Sequence, residues 1–193
     1  MSTFLEVQVP TEWLRRAQSG DASAQRSIYA ALGRPVYSLL RRLVLRPAVA
    51  EELAQEVFLE VLRNLGAYSG AGSFAGWVRS IAVSKALMHL RSPWHARLLP
   101  ESVQGAVADH ATPHGDGPEC ASDLERALNA LPDLARSIVW LHDVEGYTHA
   151  EIARLHERTV SFSKSQLARA HAALRDALEP KAGDQECTHA SRN

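Results

Sequence analysis

The stretch from Val49 to Leu65 reads VAEELAQEVFLEVLRNL, and it decides the class of fold. Its apolar residues recur at every fourth position, namely Val49, Leu53, Val57, Val61 and Leu65. Because residues four apart lie on the same side of an α-helix, this spacing predicts an amphipathic helix with one buried face. We find no convincing period-two strand pattern elsewhere, so the sequence predicts an all-α protein.

Capping and breaking residues predict further helices on both sides of this stretch. In chain order, the expected helices run from Thr11 to Gly20, from Asp21 to Gly33, from Pro35 onward, and from Ser73 to Arg91. Gly33 is expected to stop the second helix, and Pro35 suits the first turn of the next, where its missing N–H needs no partner. Together these helices predict a domain over residues 11–91.

Residues 92–121 differ from this pattern, because prolines and glycines interrupt them and no periodicity persists. We predict a flexible linker there. Helices are expected to resume at a capping box that begins at Ser122, and a second capping box begins at Thr148. A turn around residues 156–158 then separates a short helix from a longer basic one. This order predicts a helix-turn-helix domain over residues 122–180, followed by a polar tail over residues 181–193.

The composition is that of an ordinary globular protein. Of 193 residues, 46% are hydrophobic and 22% are charged, which argues against disorder. No apolar run approaches the roughly 20 residues that a membrane helix needs. The first ten residues do not resemble a secretory signal, and Cys120 and Cys187 imply no disulfide framework. We therefore expect a cytoplasmic protein with reduced cysteines.

The formal net charge of −1 hides a segregation of charge along the chain. An acidic block consists of Glu51, Glu52, Glu56 and Glu60. Between Arg154 and Arg175, five basic residues face one acidic residue, which gives 5 − 1 = +4. A basic balance in the last helix of a helix-turn-helix predicts DNA binding. The residues suited to this contact are Ser161, Ser163, Lys164, Ser165, Gln166 and Arg169.

The sequence predicts neither catalysis nor a cofactor. Three glutamates share one face of the acidic helix, but no histidine lies three or four positions away to complete a metal site. His110 and His114 have a spacing compatible with a metal, yet they fall in the predicted linker. The chain contains no Cys-x-x-Cys pair, glycine-rich phosphate loop or Gly-x-Ser-x-Gly motif.

Several segments resemble, in the same order, the extracytoplasmic-function (ECF) sigma factors of bacterial RNA polymerase. Each motif is short, but their succession over two domains is specific. The segments are 20–24, 50–59 and 73–82 in the first domain, and 130–132, 145–148, 151–153 and 164–170 in the second.

The resemblance implies a protein that binds core RNA polymerase and promoter DNA, directs transcription initiation, and is controlled by an anti-sigma factor. The first domain would be sigma region 2 and the second sigma region 4. The implied polymerase-binding residues are Glu52, Leu53, Gln55, Glu56 and Phe58. The implied contacts to the minus-ten element are Trp77, Arg79, Ser84, Lys85 and Arg91. The implied contacts to the minus-thirty-five element are Arg158, Ser161, Ser163, Lys164, Gln166 and Arg169.

The chain departs from the family pattern at several positions. Val83 and Ser84 stand where Arg-Asn is usual, and Met88 replaces a usual Asp. In the last helix, Phe162, Ser163 and Gln166 stand where Thr, Val and Arg are common. These departures predict an unusual promoter sequence or weak promoter melting.

Two other interpretations stay open from the sequence. A helix-turn-helix regulator that acts without polymerase would not need the acidic helix. A metal-dependent hydrolase would need inward-facing ligands, and none is evident in the sequence.

Overall fold

The computed structural model describes residues 4, 7–70, 72–92 and 122–179. These ranges contain eight α-helices and no β-strand, which confirms the predicted all-α class. The helices are α1 Thr11–Gln18, α2 Ala22–Val44, α3 Pro47–Asn64, α4 Phe74–Leu90, α5 Asp123–Ala130, α6 Asp133–Val139, α7 His149–Leu155 and α8 Val160–Leu178. Most of the predicted linker, from residue 93 to 121, and the predicted tail lie outside the described residues.

Helix α2 begins where the sequence predicts. The side chain of Asp21 accepts hydrogen bonds from the backbone N–H groups of Ser23, at 2.8 Å, and Ala24, at 3.3 Å. These bonds satisfy two of the donors that every helix leaves free at its first turn. The same contacts lower the pKa of the Asp21 carboxyl, after the larger effect of its hydrogen bond from Arg16.

The predicted break between two helices at Gly33 and Pro35 is wrong, because α2 runs through both residues. An interior proline removes one backbone hydrogen bond and costs about 3 kcal/mol or more. A continuous apolar stripe on α2 is buried on both sides of Pro35, and its burial opposes this cost. Its members are Ile28, Leu32, Val36, Leu39, Leu40 and Leu43. Burying one such side chain contributes roughly 1.5–3 kcal/mol, so the stripe outweighs the local defect.

The stripe on α2 is the centre of the N-terminal domain. Helix α1 covers one end of it, and α3 and α4 pack along the rest. The apolar positions that the sequence places every fourth residue on α3 face this core, and Val57 and Val61 are fully buried. Ser73 caps α4 by accepting a hydrogen bond from the Gly76 N–H, as predicted.

The C-terminal domain contains the predicted helix-turn-helix. Thr148 and Glu151 form the capping box at the start of α7. The turn that follows places Glu157 in the left-handed region, with φ of 55°, and Thr159 then caps α8. Helix α8 packs against α5, α6 and α7, and Leu167 is the core residue at its middle.

A short π-helical segment, Trp140–Val144, extends α6 and was not predicted. Its widened turn is closed by the Glu145 N–H, which donates to the Trp140 carbonyl at 3.0 Å. Leu141 is buried within the segment, so the wider turn still contributes to the core. The segment places Asp143 beside α8, where its carboxylate contacts His171.

The two helical domains pack directly against each other through α2 and α6. Arg136 on α6 is only 2% exposed. One of its Nη atoms donates to the Leu131 carbonyl at 2.9 Å, and the other donates to the Leu43 carbonyl at 3.0 Å in the last turn of α2. Arg136 also pairs with Asp133 on its own helix.

The central position of Leu40 on α2 generates a stability prediction. Leu40→Ala removes a fully buried side chain where α2 meets its neighbours, so we expect a loss of about 2–5 kcal/mol in the free energy of unfolding. Urea denaturation followed by circular dichroism measures this change. Leu59→Ala is the matched control, since Leu59 is 52% exposed on α3 and its loss should stay within about 0.5 kcal/mol. Equal effects of both substitutions would contradict the assigned core.

Candidate functional site

The acidic face of α3 is defined by Glu52, Gln55 and Glu56, whose side chains are all exposed. Leu53 and Phe58, which the resemblance also assigns to polymerase binding, face the interior and are only 5% and 6% exposed. Their side chains offer almost no surface to a partner, so the polymerase contact that the resemblance assigns to them stays an untested prediction. The exposed face on its own is therefore the candidate docking surface.

Lys85 on α4 reaches this acidic helix rather than an open surface. Its Nζ lies 3.0 Å from Glu60 and 3.5 Å from Glu56. The hydrogen bond to Glu60 is the main cause that raises the pKa of Lys85, and desolvation opposes it. The predicted contact of Lys85 with minus-ten DNA would therefore require its ammonium to leave two carboxylates.

The other residues implied for minus-ten recognition lie along α4 and at its end. Trp77 packs against Tyr68 and Phe74, with ring centroids 5.5 Å apart in each pair, and Ser84 is exposed. Arg79 and Arg91 both point toward the C-terminal domain.

Arg79 makes three contacts with the segment between α6 and α7. Its Nη1 donates to the Glu145 carbonyl at 2.8 Å and lies 3.6 Å from the Glu145 carboxylate, and its guanidinium stacks over the Tyr147 ring at 4.6 Å. Desolvation raises the pKa of the Glu145 carboxyl, while the charges of Arg79 and Arg42 oppose that shift. This contact is therefore a partly buried ion pair.

The burial pattern of α8 shows which side of the predicted reading helix is accessible. Its inward residues are Ser163, Leu167, Ala170 and Leu174. Ser163 is 1% exposed, so its side chain lies in the interior, and its contact with DNA stays an untested prediction. Gln166 is half-buried beside Leu167. Of the residues predicted to contact DNA, Ser161, Lys164, Ser165 and Arg169 are exposed on α8, and Arg158 is exposed in the turn before it.

A polar network that the sequence did not predict holds α8 in place. His149 at the start of α7 contacts the Ser163 hydroxyl at 3.0 Å, and its ring stacks on that of His142 at 4.6 Å. Asp143 accepts from His142 and from His171, each at 2.7 Å.

Desolvation, followed by the charges of His142 and Lys164, lowers the pKa of His149, which favours its neutral form. The histidines of this network, His142, His149 and His171, are far apart in sequence, so their spacing could not predict that they lie close together.

The described ranges contain neither a metal-binding cluster nor a membrane-spanning helix. No group of three or more His, Cys, Asp or Glu side chains there has a geometry that could hold a metal ion. None of the helices in these ranges combines the length and hydropathy that a bilayer crossing requires.

Comparison with known proteins defines the class. Residues 28–96 match the family Sigma-70 region 2, and residues 121–174 match Sigma-70, region 4. The two matches fall on the N-terminal and C-terminal helical domains, respectively. The chain therefore has the two-domain organisation of a sigma-70-type transcription factor.

Comparison with individual proteins shows which sigma factors this chain is similar to. The chain is 30% identical over 171 residues to the ECF RNA polymerase sigma factor SigK of Mycolicibacterium vanbaalenii, covering 86% of this chain and 87% of that protein. It is 28% identical over 178 residues to the RNA polymerase sigma-H factor of Pseudomonas aeruginosa, covering 86% and 92%. The chain belongs to the ECF sigma factor family.

A solved structure shares the fold. The sigma factor RpoE of Bartonella quintana, crystallised with the anti-sigma factor NepR, aligns with a TM-score of 0.54 at 17% identity. The alignment covers 79% of this chain and 95% of that one. At this identity the likeness concerns the arrangement of helices.

His156, in the turn between α7 and α8, generates a pH prediction. Burial, aided by the charges of Arg91 and Arg158, lowers its pKa to about 4. The unfolded chain binds a proton near pH 6.5, whereas the folded chain resists it, so stability falls as the pH drops from about 6.5 toward 4. The shift corresponds to a loss of up to about 3 kcal/mol across this window.

Urea denaturation at several pH values between about 8 and 5 tests this linkage. His156→Gln should flatten the dependence, because glutamine keeps a polar group near Ser137 but does not titrate. The assignment is wrong if the variant and the parent lose stability in parallel.

Proposed function

We propose that this chain is a sigma factor that binds core RNA polymerase through the acidic face of α3 and directs it to promoters through α4 and α8. The observation that carries the proposal is the match of regions 2 and 4, in order, to the two helical domains. The relatives that the chain resembles over most of their length carry the name RNA polymerase sigma factor.

The composition of the α3 face supports a polymerase contact. Glutamates spaced four apart repel each other by roughly 0.2–0.5 kcal/mol per pair, and Lys85 offsets this for only Glu56 and Glu60. A cationic partner would relieve the repulsion that Glu52 adds. Leu59 lies on the same side of the helix, seven positions after Glu52, and supplies exposed apolar surface for the centre of an interface.

The shape of α8 supports DNA reading. Ser161 and Ser165 lie four positions apart on the side of the helix opposite its buried residues. The outward face of the helix therefore carries short polar side chains. Lys164 and Arg169 lie on either side of this surface, five positions apart. A helix of this form suits the major groove, where short side chains approach base edges and flanking cations reach phosphates.

The chain itself performs no catalysis in this proposal. Polymerase supplies the chemistry, and the sigma factor acts with it in the cytoplasm. An anti-sigma factor is a proposed further partner, because the aligned Bartonella structure and that of CnrH with the cytosolic domain of CnrY are both complexes of this kind. A regulator acting without polymerase is the weaker alternative, since it leaves the acidic face of α3 without a role.

Docking is tested by charge changes on α3. Glu52→Lys combined with Glu56→Gln should lower affinity for core polymerase at least about tenfold, because both carboxylates lie on the proposed contact face. Pull-down with core enzyme and fluorescence anisotropy measure the loss.

The matched control is Glu12→Lys combined with Glu179→Gln, which changes net charge equally at exposed positions outside α3. Circular dichroism checks that both variants stay helical. Full binding by the α3 variant would refute the docking face.

DNA reading is tested on promoter fragments that the holoenzyme selects from genomic DNA. Arg169→Ala should weaken binding to all fragments and reduce the salt slope by about 0.9, as loss of one phosphate contact requires. Ser161→Ala should instead cost about 0.5–1.5 kcal/mol, as the loss of one neutral hydrogen bond does, and relax preference at one base pair.

Arg175→Ala is the control, because Arg175 is exposed in the last turn of the same helix, away from its proposed reading end. Fluorescence anisotropy at several salt concentrations gives the affinities. If Arg169→Ala and Ser161→Ala both behave like Arg175→Ala, α8 does not read the promoter.

A further inference from the structure

Helix α2 is strongly basic, and the functions proposed for α3, α4 and α8 do not use that charge. It contains no aspartate or glutamate, so its net charge is 4 − 0 = +4, from Arg26, Arg34, Arg41 and Arg42. The basic segment of the helix-turn-helix has the same charge over a similar length. Arg42 is engaged elsewhere, since its guanidinium lies 4.7 Å from the centre of the Trp140 ring. The other three arginines form the feature that needs a partner of opposite charge.

These three arginines share the outward face of α2. Arg26 and Arg34 are eight residues apart and Arg34 and Arg41 seven, which is about two helical turns in each case. At 1.5 Å per residue the row is about 22 Å long. Arg26 and Arg34 are exposed, and neither forms an ion pair with a residue in the described ranges. Arg41 is half-buried and donates to the Leu45 carbonyl at the end of its own helix.

Tyr29 adds an aromatic ring between the first two arginines. It is 58% exposed, although its ring packs against the edge of Phe58 with centroids 4.7 Å apart. The ring also lies over Gly33, one turn further on, where an added Cβ would be 3.7 Å from it. Contacts with the helix and with α3 therefore hold the ring in place, while more than half of the residue stays in solvent. A ring placed in this way can stack on a base whose face is free.

The row of arginines ends at a groove between α2 and α5. Tyr37 and Arg41 line it on the side of α2, and Asn129 lines it on the side of α5. Its volume is about 400 Å³, which lies within the range of sites that take small ligands. Glu125 lines the groove on the side of α5, so an anionic ligand should keep its charged groups on the side of α2. The groove extends the basic face by a second tyrosine and by an amide that can hydrogen-bond a base.

We propose that the outward face of α2 binds a single strand of nucleic acid, with Arg26, Arg34 and Arg41 on its phosphates and Tyr29 stacked on one of its bases. An acidic protein surface would pair with the arginines, but that pairing needs no aromatic ring between them. Duplex DNA offers phosphates, but neighbouring base pairs cover the faces of its bases. Cations that alternate with an exposed ring are typical of single-strand binding. The inference goes beyond the proposed function, because it uses neither α4 nor α8.

The arginines are tested by fluorescence anisotropy on the full chain without polymerase. Because DNA and RNA strands share these phosphates and bases, the probes are a labelled oligothymidylate and a labelled oligouridylate of about 20 nucleotides. Arg26→Ala combined with Arg34→Ala should weaken binding at least about tenfold at low salt. Each phosphate contact of a single strand adds about 0.7 to the salt slope, so the slope should fall by about 1.4. Tighter binding of one probe identifies the kind of strand, and either result supports the inference.

The matched control is Arg15→Ala combined with Arg175→Ala, which removes the same charge from exposed positions outside α2. Circular dichroism checks that both double variants stay helical. We expect the control to keep the affinity and the salt slope of the parent within about twofold. If the two double variants lose affinity equally, the strand is bound by overall charge, and the inference is overturned.

The ring is tested by two substitutions at one position. Tyr29→Ala should weaken binding of the single strand at least about fivefold, as loss of one stacked base does, whereas Tyr29→Phe keeps the ring and should bind like the parent. On a duplex of about 20 base pairs, Tyr29→Ala should have no effect, because no base face is free there. No loss on either strand, or an equal loss on the duplex, would overturn the inference.

Competition and cross-linking decide between a strand and a protein partner. Polyglutamate of matched charge should displace the probe only at a concentration at least about tenfold above that of unlabelled oligonucleotide, because it has no bases to stack. A photoreactive benzoylphenylalanine in place of Ala30, which is exposed beside Tyr29, should cross-link to the probe. The same group in place of Ala177, exposed near the end of α8, should not. Equal displacement by polyglutamate, or equal cross-linking at the two positions, would overturn the inference. None of these measurements uses polymerase, so failure of the proposed function would leave them unchanged.

Discussion

The hydrogen bond from Arg136 to the Leu43 carbonyl is the contact on which the relation of the two domains depends. A buried guanidinium needs hydrogen-bond acceptors, and those of the two Arg136 Nη atoms come from both domains, while its Nε has no acceptor among the described residues. Breaking this hydrogen bond is costly mainly because it leaves the buried Arg136 guanidinium without that acceptor, and less because the bond itself is strong. Any partner that separates the domains must supply water or another acceptor to Arg136.

The regular parts of the fold could be predicted from the sequence because their causes are local. The period of four in α3 and the caps at Asp21, Ser73 and Thr148 each depend on residues within one or two turns. The helix break at Pro35 was predicted wrongly because the prediction, too, used only local sequence. Its cost is visible locally, whereas the burial that offsets it depends on neighbours from α3 and α4.

The candidate site was predicted less completely, because residue type does not determine direction. Ser163 has the chemistry of a DNA contact, but His149 and the packing of α7 turn it inward. Leu53 and Phe58 lie on the buried side of α3, whereas Glu52, Gln55 and Glu56 lie on its exposed side. The pairing of Arg79 with Glu145 joins residues 66 positions apart, and no local pattern indicates such a pair.

The π-helical segment Trp140–Val144 has a consequence for how this chain can change over evolution. A π-helical turn holds one residue more than an α-helical turn. It therefore sets the direction in which Glu145 and Tyr147, the residues after it, point relative to Arg136. Glu145 and Tyr147 reach Arg79 because they point in that direction. A substitution in this segment leaves the rotation of the following backbone unchanged, although Leu141 is a core residue, whereas loss or gain of a single residue would turn Glu145 away from Arg79. In this segment the length of the chain is under tighter constraint than its composition.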